Sequence, residues 1–429
     1  MVLFSLSAIE GCGVSSGHYT RLETQLATGQ CGSATEYLAK SESDYGTNAK
    51  LIYLFDKGMV SMLCGKYGEC VKTMQEADEL SEKLWTTSIS KEISTFAVND
   101  FVQEYSGEDF ERAMINMVAA VNYALLGELD EALVECRRLD EKLGLFNQKY
   151  DKEKNVYKED AFGRYLSGLL YESRGNLTDA YIDYRKAYEA YMDYAKNYYM
   201  PMPEPLKKDL VRLARLEHQS DLEEYKLSFG DIDAGLQRDI KAKGRIVLIQ
   251  FDARSPHKEE DKLIIASPVG PITLAFPRFV VVPSGHGPAT LIAESDTAAV
   301  VRGESFLADD VEKIAIKNLA DRRGRVITKT IARAIAKQAL IEGAARASSN
   351  SQGNQMLVRQ ALNIGNLFLE RADTRTWRTL PGRVYLSTAF VKPGDFRVAA
   401  EAGGRTVPLG SINIRAGQTR FVFLETMFN

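Results

Sequence analysis

The strongest constraint on the fold is one spacing of small, aromatic and glycine residues that recurs through the first half of the chain. Counted from Gly168, its positions follow after 3, 7, 12, 16 and 19 residues. Small residues let two helices cross closely, and glycine accepts the positive φ of a tight turn. Stacked helical hairpins are therefore predicted. The copies are Gly168, Tyr171, Gly175, Ala180, Tyr184 and Ala187; Gly58, Ser61, Gly65, Cys70, Met74 and Ala77; Ala120, Tyr123, Gly127, Ala132, Cys136 and Leu139; and a weaker one at Leu22, Gly29, Ala34 and Leu38.

This spacing is typical of the tetratricopeptide repeat, a pair of helices with a period of about 34 residues. The turn glycines at 29, 65, 127 and 175 lie 36, 62 and 48 residues apart. The longer intervals predict insertions of about 28 residues around 85–106 and about 14 around 144–155. Three prolines between 201 and 205 end the pattern. We therefore predict a helical array over 18–226, closed by a capping helix over 206–225.

After a linker at 227–243, short β-branched runs separated by proline and glycine predict strands. These runs cover 245–252, 262–266, 272–276, 279–282 and 289–293, and resume at 383–390, 396–400 and 420–425. Between the two blocks, helical spacing predicts helices at 309–323, 328–347 and 355–372, interrupted at Gly324 and at 348–353. The fold class expected is an α-solenoid followed by a β-sandwich-like α+β domain over 244–429, with a helical insertion near 305–372.

The first 17 residues are similar to a bacterial lipoprotein signal. An apolar run at 2–9 leads through Glu10 and Gly11 to Cys12, which would carry the lipid. The alternative is a cytosolic protein whose first residues pack as an apolar end, since Glu10 is unusual at this place and no basic residue precedes the run.

Four C-terminal motifs extend this likeness to nearly the whole chain. They are Ile249-Gln250-Phe251, Ser255-Pro256-His257-Lys258, Ile331-Ala332-Arg333-Ala334 with Lys337, and Ala372-Asp373-Thr374-Arg375-Thr376-Trp377-Arg378-Thr379-Leu380-Pro381. The chain resembles a family of bacterial tetratricopeptide-repeat lipoproteins. The resemblance implies an envelope protein anchored through Cys12 on the periplasmic face of the outer membrane, and it implies no catalytic residue.

The last motif contains a candidate recognition corner, formed by Asp373, Arg375, Trp377 and Arg378. Either arginine could pair with Asp373 and stack on Trp377, which would lock the corner between a helix and a strand. The functional alternative is a small recognition surface for an anionic glycan or a partner loop.

The motifs of common enzymes are weak or missing. Ser255 and Lys258 have the spacing of a Ser-x-x-Lys acyltransferase, but Pro256 and the missing companion motifs favour a turn. The four histidines lie far apart, which disfavours zinc. Phosphate-loop and nucleophile-elbow motifs do not occur. We expect no catalytic residue, no cofactor and no metal.

The remaining cysteines have two interpretations. In the repeat frame, Cys31 and Cys64 lie at the same edge of the stack, where they either form a disulfide or remain unpaired small apolar residues. Cys70 and Cys136 occupy inner positions of the repeats and are expected in the core.

These features favour a non-enzymatic envelope scaffold that binds protein partners in the groove of its helical array and is anchored to the membrane by lipid. A formal net charge of −4 implies no partner by itself. The alternative is a cytosolic adaptor whose basic helices between Lys313 and Arg346 bind nucleic acid. The first hypothesis expects envelope or cell-wall machinery as partner and no nucleic acid.

Overall fold

The computed structural model describes residues 14–91, 103–149, 157–232, 242–267, 270–283, 285–296, 298–348, 355–356 and 371–428. In these ranges, ten α-helices of the first half precede ten strands and one long α-helix. The helices are α1 Ser16–Ala27, α2 Cys31–Lys40, α3 Lys50–Leu63, α4 Tyr67–Lys91, α5 Asp109–Leu126, α6 Leu129–Lys149, α7 Ala161–Ser173, α8 Leu177–Tyr198, α9 Glu204–Glu217, α10 Leu222–Phe229 and α11 Val311–Ser348. The strands are β1 Gly244–Arg254, β2 His257–Ser267, β3 Gly270–Val280, β4 Thr290–Ser295, β5 Ala298–Arg302, β6 Glu304–Asp309, β7 Pro381–Val391, β8 Gly394–Ala402, β9 Arg405–Ile414 and β10 Thr419–Thr426.

The helices pair as hairpins at the glycines that the repeat pattern selects. Gly29, Gly65, Gly127 and Gly175 have φ values of +69°, +72°, +80° and +77°. A side chain would strain this left-handed conformation, which explains why glycine occupies each turn. The pairs are α1 with α2, α3 with α4, α5 with α6, and α7 with α8.

The longer repeat intervals fall at the ends of long second helices. Helix α4 continues to Lys91, and α6 continues past Gly144 to Lys149. Residues 92–102 and 150–155 of the two predicted insertions lie outside the described residues.

The C-terminal domain contains two four-stranded sheets and a separate hairpin. The first sheet has the order β10-β1-β7-β6, with β10 parallel to β1, and the second has the order β5-β4-β8-β9. Strands β2 and β3 form the hairpin. Alternate residues of β1 enter different cores: Ile246 and Leu248 pack between the two sheets, while Val247, Ile249 and Phe251 belong to the core of the helical array. The molecule thus has three layers, with the first sheet in the middle.

Helix α11 corrects the predicted helical insertion. It runs unbroken through Gly324, where the sequence pattern predicted an interruption. An exposed glycine inside a helix costs only about 1 kcal/mol, and the residues on both sides favour helix. The third predicted helix falls mainly on 357–370, outside the described residues, and 371–377 is not helical.

Several strands differ from the sequence-based expectation. Strand β2 begins at His257, ahead of the predicted run at 262–266, and includes Glu259, Glu260 and Asp261, because it pairs with β3 along its whole length. Strands β5 and β6 were not predicted. Strand β9 was not predicted either, since Pro408 and Gly410 interrupt the β pattern. It is an edge strand, where proline is tolerated.

A disulfide joins Cys31, at the start of α2, to Cys64, which follows α3. The two Cα atoms lie 5.5 Å apart. The two cysteines are 33 residues apart in the sequence, and closing a loop of this length contributes about 3 to 4 kcal/mol of stability in the chain-entropy model. The bond ties the first hairpin to the second. Cys70 and Cys136 are buried free thiols.

No helix in the described ranges is both long enough and apolar enough to cross a membrane.

Two glycines in helices allow a matched test of the repeat packing. A Cβ added at Gly168 would lie 2.3 Å from a ring carbon of Tyr184, whereas a Cβ at Gly144 would meet nothing within 4 Å. We expect Gly168→Ala to lower the free energy of unfolding by about 1 to 3 kcal/mol through overpacking. Gly144→Ala should raise it by about 0.5 to 1 kcal/mol. Urea unfolding of both variants checks this, and equal effects would contradict the packing described for α7 and α8.

Candidate functional site: the inner face of the helical array

The inner face of the array, formed by α3, α5 and α7, is covered by the C-terminal domain. Most residues of these three helices are buried, whereas their partners α4, α6 and α8 keep one exposed face. One continuous apolar core includes residues of the array, of β1, β7 and β10, and of α11. The surface predicted to bind a partner is therefore occupied by the chain itself, and the groove-binding prediction does not fit the described residues.

An extended segment, Ala372–Leu380, fills the part of the inner face between α3 and α5. We call it the docking segment. The Trp377 side chain is fully buried and stacks on Phe55 of α3, with ring centroids 4.1 Å apart and ring planes 12° apart. Its indole N–H donates to Thr379 Oγ1 at 3.0 Å. The largest buried side chain of the molecule thus belongs to the joint between its two halves.

Glu111, a buried carboxylate of α5, binds the backbone of the docking segment. It accepts hydrogen bonds from the Trp377 backbone N–H at 2.7 Å and the Thr376 hydroxyl at 2.8 Å. The Tyr105 hydroxyl and the Glu108 backbone N–H also donate to it. Burial raises the pKa of Glu111, while Lys258 and these donors oppose the rise. Four donors therefore compensate the loss of water around this carboxylate.

Asp56 of α3 binds the other end of the docking segment through a side chain. It accepts hydrogen bonds from the hydroxyls of Thr379 at 2.8 Å, Tyr45 at 2.8 Å and Tyr19 at 3.0 Å. Burial raises the pKa of Asp56 to about 6, and the three hydroxyl donors limit the rise. The Tyr45 hydroxyl also contacts His18 Nε2 at 3.0 Å, which extends this polar cluster to α1.

The four residues of the predicted recognition corner are divided between several contacts. Arg375 pairs with Asp373 at 2.7 Å, and it donates to the backbone carbonyls of Asn48 and Gln103, both at 2.7 Å. Its guanidinium lies over the Tyr105 ring, and that of Arg378 lies over the Tyr19 ring at 4.3 Å.

The predicted stacking of an arginine on Trp377 was therefore wrong, because Phe55 occupies the indole face. Trp377 and Arg375 are buried against the array, whereas Asp373 and Arg378 are half-buried.

A second joint is formed by Arg245, the second residue of β1, in a buried ionic cluster. Its guanidinium lies 2.9 Å from Asp209 and 3.5 Å from Glu172, and Arg212 also bonds both carboxylates. Burial opposes ionisation of Asp209, but Arg245 and Arg212 outweigh it and hold the pKa of Asp209 below its usual value. This cluster attaches the first sheet to α7 and α9 through charges that balance one another.

A third joint places two buried carboxyl groups near each other. Asp309 is the last residue of β6, and Asp160 caps the N-terminus of α7. Asp160 accepts a hydrogen bond from the Tyr157 hydroxyl at 2.6 Å. One oxygen of Asp309 accepts the Asp310 backbone N–H, and the other accepts no hydrogen bond within the described part of the chain. Burial raises the pKa of Asp309 well above its usual value, and Asp160 and Asp310 raise it further. Four tyrosine hydroxyls also lie near it, those of Tyr157, Tyr191, Tyr194 and Tyr198, and Lys313 pairs with the adjacent Asp310 at 3.0 Å.

The other candidate residues have structural partners. Lys258 is buried and donates to Glu108 and to the Arg375 carbonyl at 3.1 Å, so it does not activate Ser255. Burial lowers the pKa of Lys258. Across the described residues no group of three potential metal ligands occurs. Cys12 lies outside the described residues.

The sequence analysis found the docking segment but missed its receptors. Asp56, Glu111 and Asp209 were not selected, although Asp56 and Glu111 each stand within strongly apolar helices. A carboxylate inside an apolar helix is costly unless it is bonded. The free-energy cost of these two carboxylates could therefore have indicated from the sequence that they bind buried partners.

The pH dependence of stability tests the third joint. Because the pKa of Asp309 is raised in the folded state, its contribution to stability is present at low pH and is lost as pH rises. Asparagine resembles the protonated form, so Asp309→Asn should match the wild type near pH 4 and exceed its thermal stability near pH 8. Asp209→Asn is the matched control: it should destabilise by about 3 to 5 kcal/mol at pH 8, because it breaks a buried ion pair. A lower melting temperature of Asp309→Asn at pH 8 would contradict the assignment.

Comparison with known proteins gives little beyond the repeats. Neither a protein-family model nor a curated protein matches the chain. Among solved structures, TPR-like repeats of a putative kinesin light chain from Podosopora anserina are 13% identical, cover 52% of this chain and 96% of their own, and have a TM-score of 0.31. A variant of those repeats is 14% identical, covers 52% and 95%, and has a TM-score of 0.32. Likeness at this level bears on neither partner nor location.

Proposed function

We propose that the protein is a non-enzymatic scaffold that holds its own C-terminal domain on the inner face of the array and binds partner proteins on the outer face. The observation that carries this proposal is the docking segment, whose Trp377 is fully buried against α3. An external peptide would have to displace this indole and the hydrogen bonds of Glu111 and Asp56. A partner that binds the outer face would displace none of these contacts.

The outer face consists of the second helices of the hairpins. Apolar side chains stand exposed there among charged ones: Val134 and Leu145 on α6, and Ile182 and Met192 on α8. Val134 and Leu145 are eleven residues apart, a spacing that puts them on one face of the helix. Exposed apolar residues on a rigid face favour a protein partner.

We further propose that the chain is a lipoprotein of the periplasmic face of the outer membrane, anchored at Cys12 and acting beside envelope or cell-wall machinery. The apolar run before Cys12 supports this location. The disulfide between Cys31 and Cys64 also supports it, since structural disulfides persist in oxidising compartments.

Cell fractionation tests the anchor. Wild-type protein expressed from the full gene should sediment with membranes, and its N-terminal peptide should carry the mass of acyl chains on Cys12. Cys12→Ser should become soluble with unchanged thermal stability, because the anchor is covalent lipid and not a packed helix. A wild-type chain found in the soluble fraction, with unmodified Cys12, would remove the lipoprotein proposal.

Variants of the outer face test partner binding. Val134→Glu combined with Ile182→Glu should abolish recovery of a crosslinked partner from solubilised membranes, because two charges would face its apolar surface. Stability should change by no more than about 0.5 kcal/mol for each exposed substitution. Val300→Glu is the control, since Val300 is 54% exposed on β5 of the C-terminal domain. A partner retained by the double variant would contradict this location of the interface.

A second candidate function is nucleic-acid binding by α11, which has nine Lys and Arg against three Asp and Glu. It predicts an affinity for duplex DNA or RNA that falls steeply with salt. If the chain does not bind duplex DNA or RNA at low salt, this candidate fails and only the scaffold proposal remains.

A further inference from the structure

An apolar groove lies between the β2–β3 hairpin and the first half of α11. It encloses about 350 Å³, which is within the range of small-molecule sites. We call it the hairpin groove. Its walls are formed by Phe276, Pro277 and Phe279 of β3 and by Ile316, Leu319, Ala320 and Ile327 of α11. Phe279 also packs edge-on against Phe110 of α5, with ring centroids 6.2 Å apart.

The apolar surface continues beyond the groove along α11. Ile331 and Ile335 follow Ile327 at steps of four residues, so they lie on the same face of the helix. Their side chains are 40% and 61% exposed. A narrow apolar track therefore runs from the groove toward the far end of the helix.

Arg323 is the cation available to a ligand in the hairpin groove. Arg278, the other arginine of its lining, pairs with Glu259 at 2.6 Å and with Asp261 at 3.0 Å. Arg323 is exposed, and within the described residues no carboxylate lies at ion-pair distance from it. Among the described side chains, the site thus combines an apolar track with one uncompensated positive charge.

We propose that the hairpin groove binds a free single-chain anionic amphiphile, such as a long-chain fatty acid. The acyl chain lies against Phe276, Ile316 and Ile327, and the carboxylate pairs with Arg323. The enclosed volume suits one chain, and one unpaired cation complements one negative charge. This site is separate from the outer face proposed for protein partners, so either proposal can fail alone.

Calorimetric titration of the full chain with dodecanoate, below its micelle concentration, tests the proposal. Binding should saturate at one molecule per chain. Each methylene removed should raise Kd about fourfold, from about 0.8 kcal/mol per buried methylene, so decanoate should bind about fifteenfold more weakly. Dodecanol, which lacks the charge, should bind about two- to fivefold more weakly, as expected for an exposed ion pair.

Three variants separate groove binding from adsorption to the surface. Ala320→Phe should abolish binding by filling the groove, with no loss of thermal stability, because Ala320 is exposed. Ala344→Phe makes the same change at an exposed position of α11 outside the groove and should bind dodecanoate normally. Arg323→Gln should weaken dodecanoate to the affinity of dodecanol and leave dodecanol unchanged.

Three results would overturn the proposal. The first is unchanged dodecanoate binding by Ala320→Phe, and the second is an equal loss of dodecanoate binding in Ala344→Phe. The third is a wild type that does not bind dodecanoate but sediments with phosphatidylglycerol vesicles. The last would make this face a membrane-docking surface instead.

Discussion

The structure depends on burying one indole together with the polar backbone that carries it. Trp377 reaches Phe55 only because the docking segment enters the inner face of the array, which removes its N–H groups and hydroxyls from water. Glu111 and Asp56 supply the missing acceptors. A buried donor without a partner would cost about 1 to 3 kcal/mol, so the aromatic stack and the two carboxylates are required together.

Strand β1 connects the core of the helical array to the core of the C-terminal domain. Its side chains alternate between the core of the array and the core between the two sheets, so both faces of the strand are buried. The side-chain period of a strand is two residues, and a slip of one residue would exchange these cores. Arg245 pairs with Asp209 only in the observed register, which makes the ionic cluster a determinant of register as well as a joint.

The same arrangement limits where function can reside. Three of the first helices of the hairpins are committed to the interior. Among the surfaces that stay exposed in the described residues are the outer face of the array and the side of α11 that borders the hairpin groove. These surfaces differ in chemistry. The outer face offers separate apolar side chains among charges, and the groove offers a continuous apolar track with one cation.

The sequence by itself determined the hairpins and most strands, because turn glycines with positive φ and runs of β-branched residues act over a few neighbours. It also marked the segment around Trp377 as unusual. Only the tertiary structure decided what that segment binds: Phe55, Asp56 and Glu111 lie more than 260 residues away, and no local pattern encodes such a pairing. The occupation of the inner face was likewise decided by packing, since local propensities of about 1 kcal/mol yield to burial on this scale.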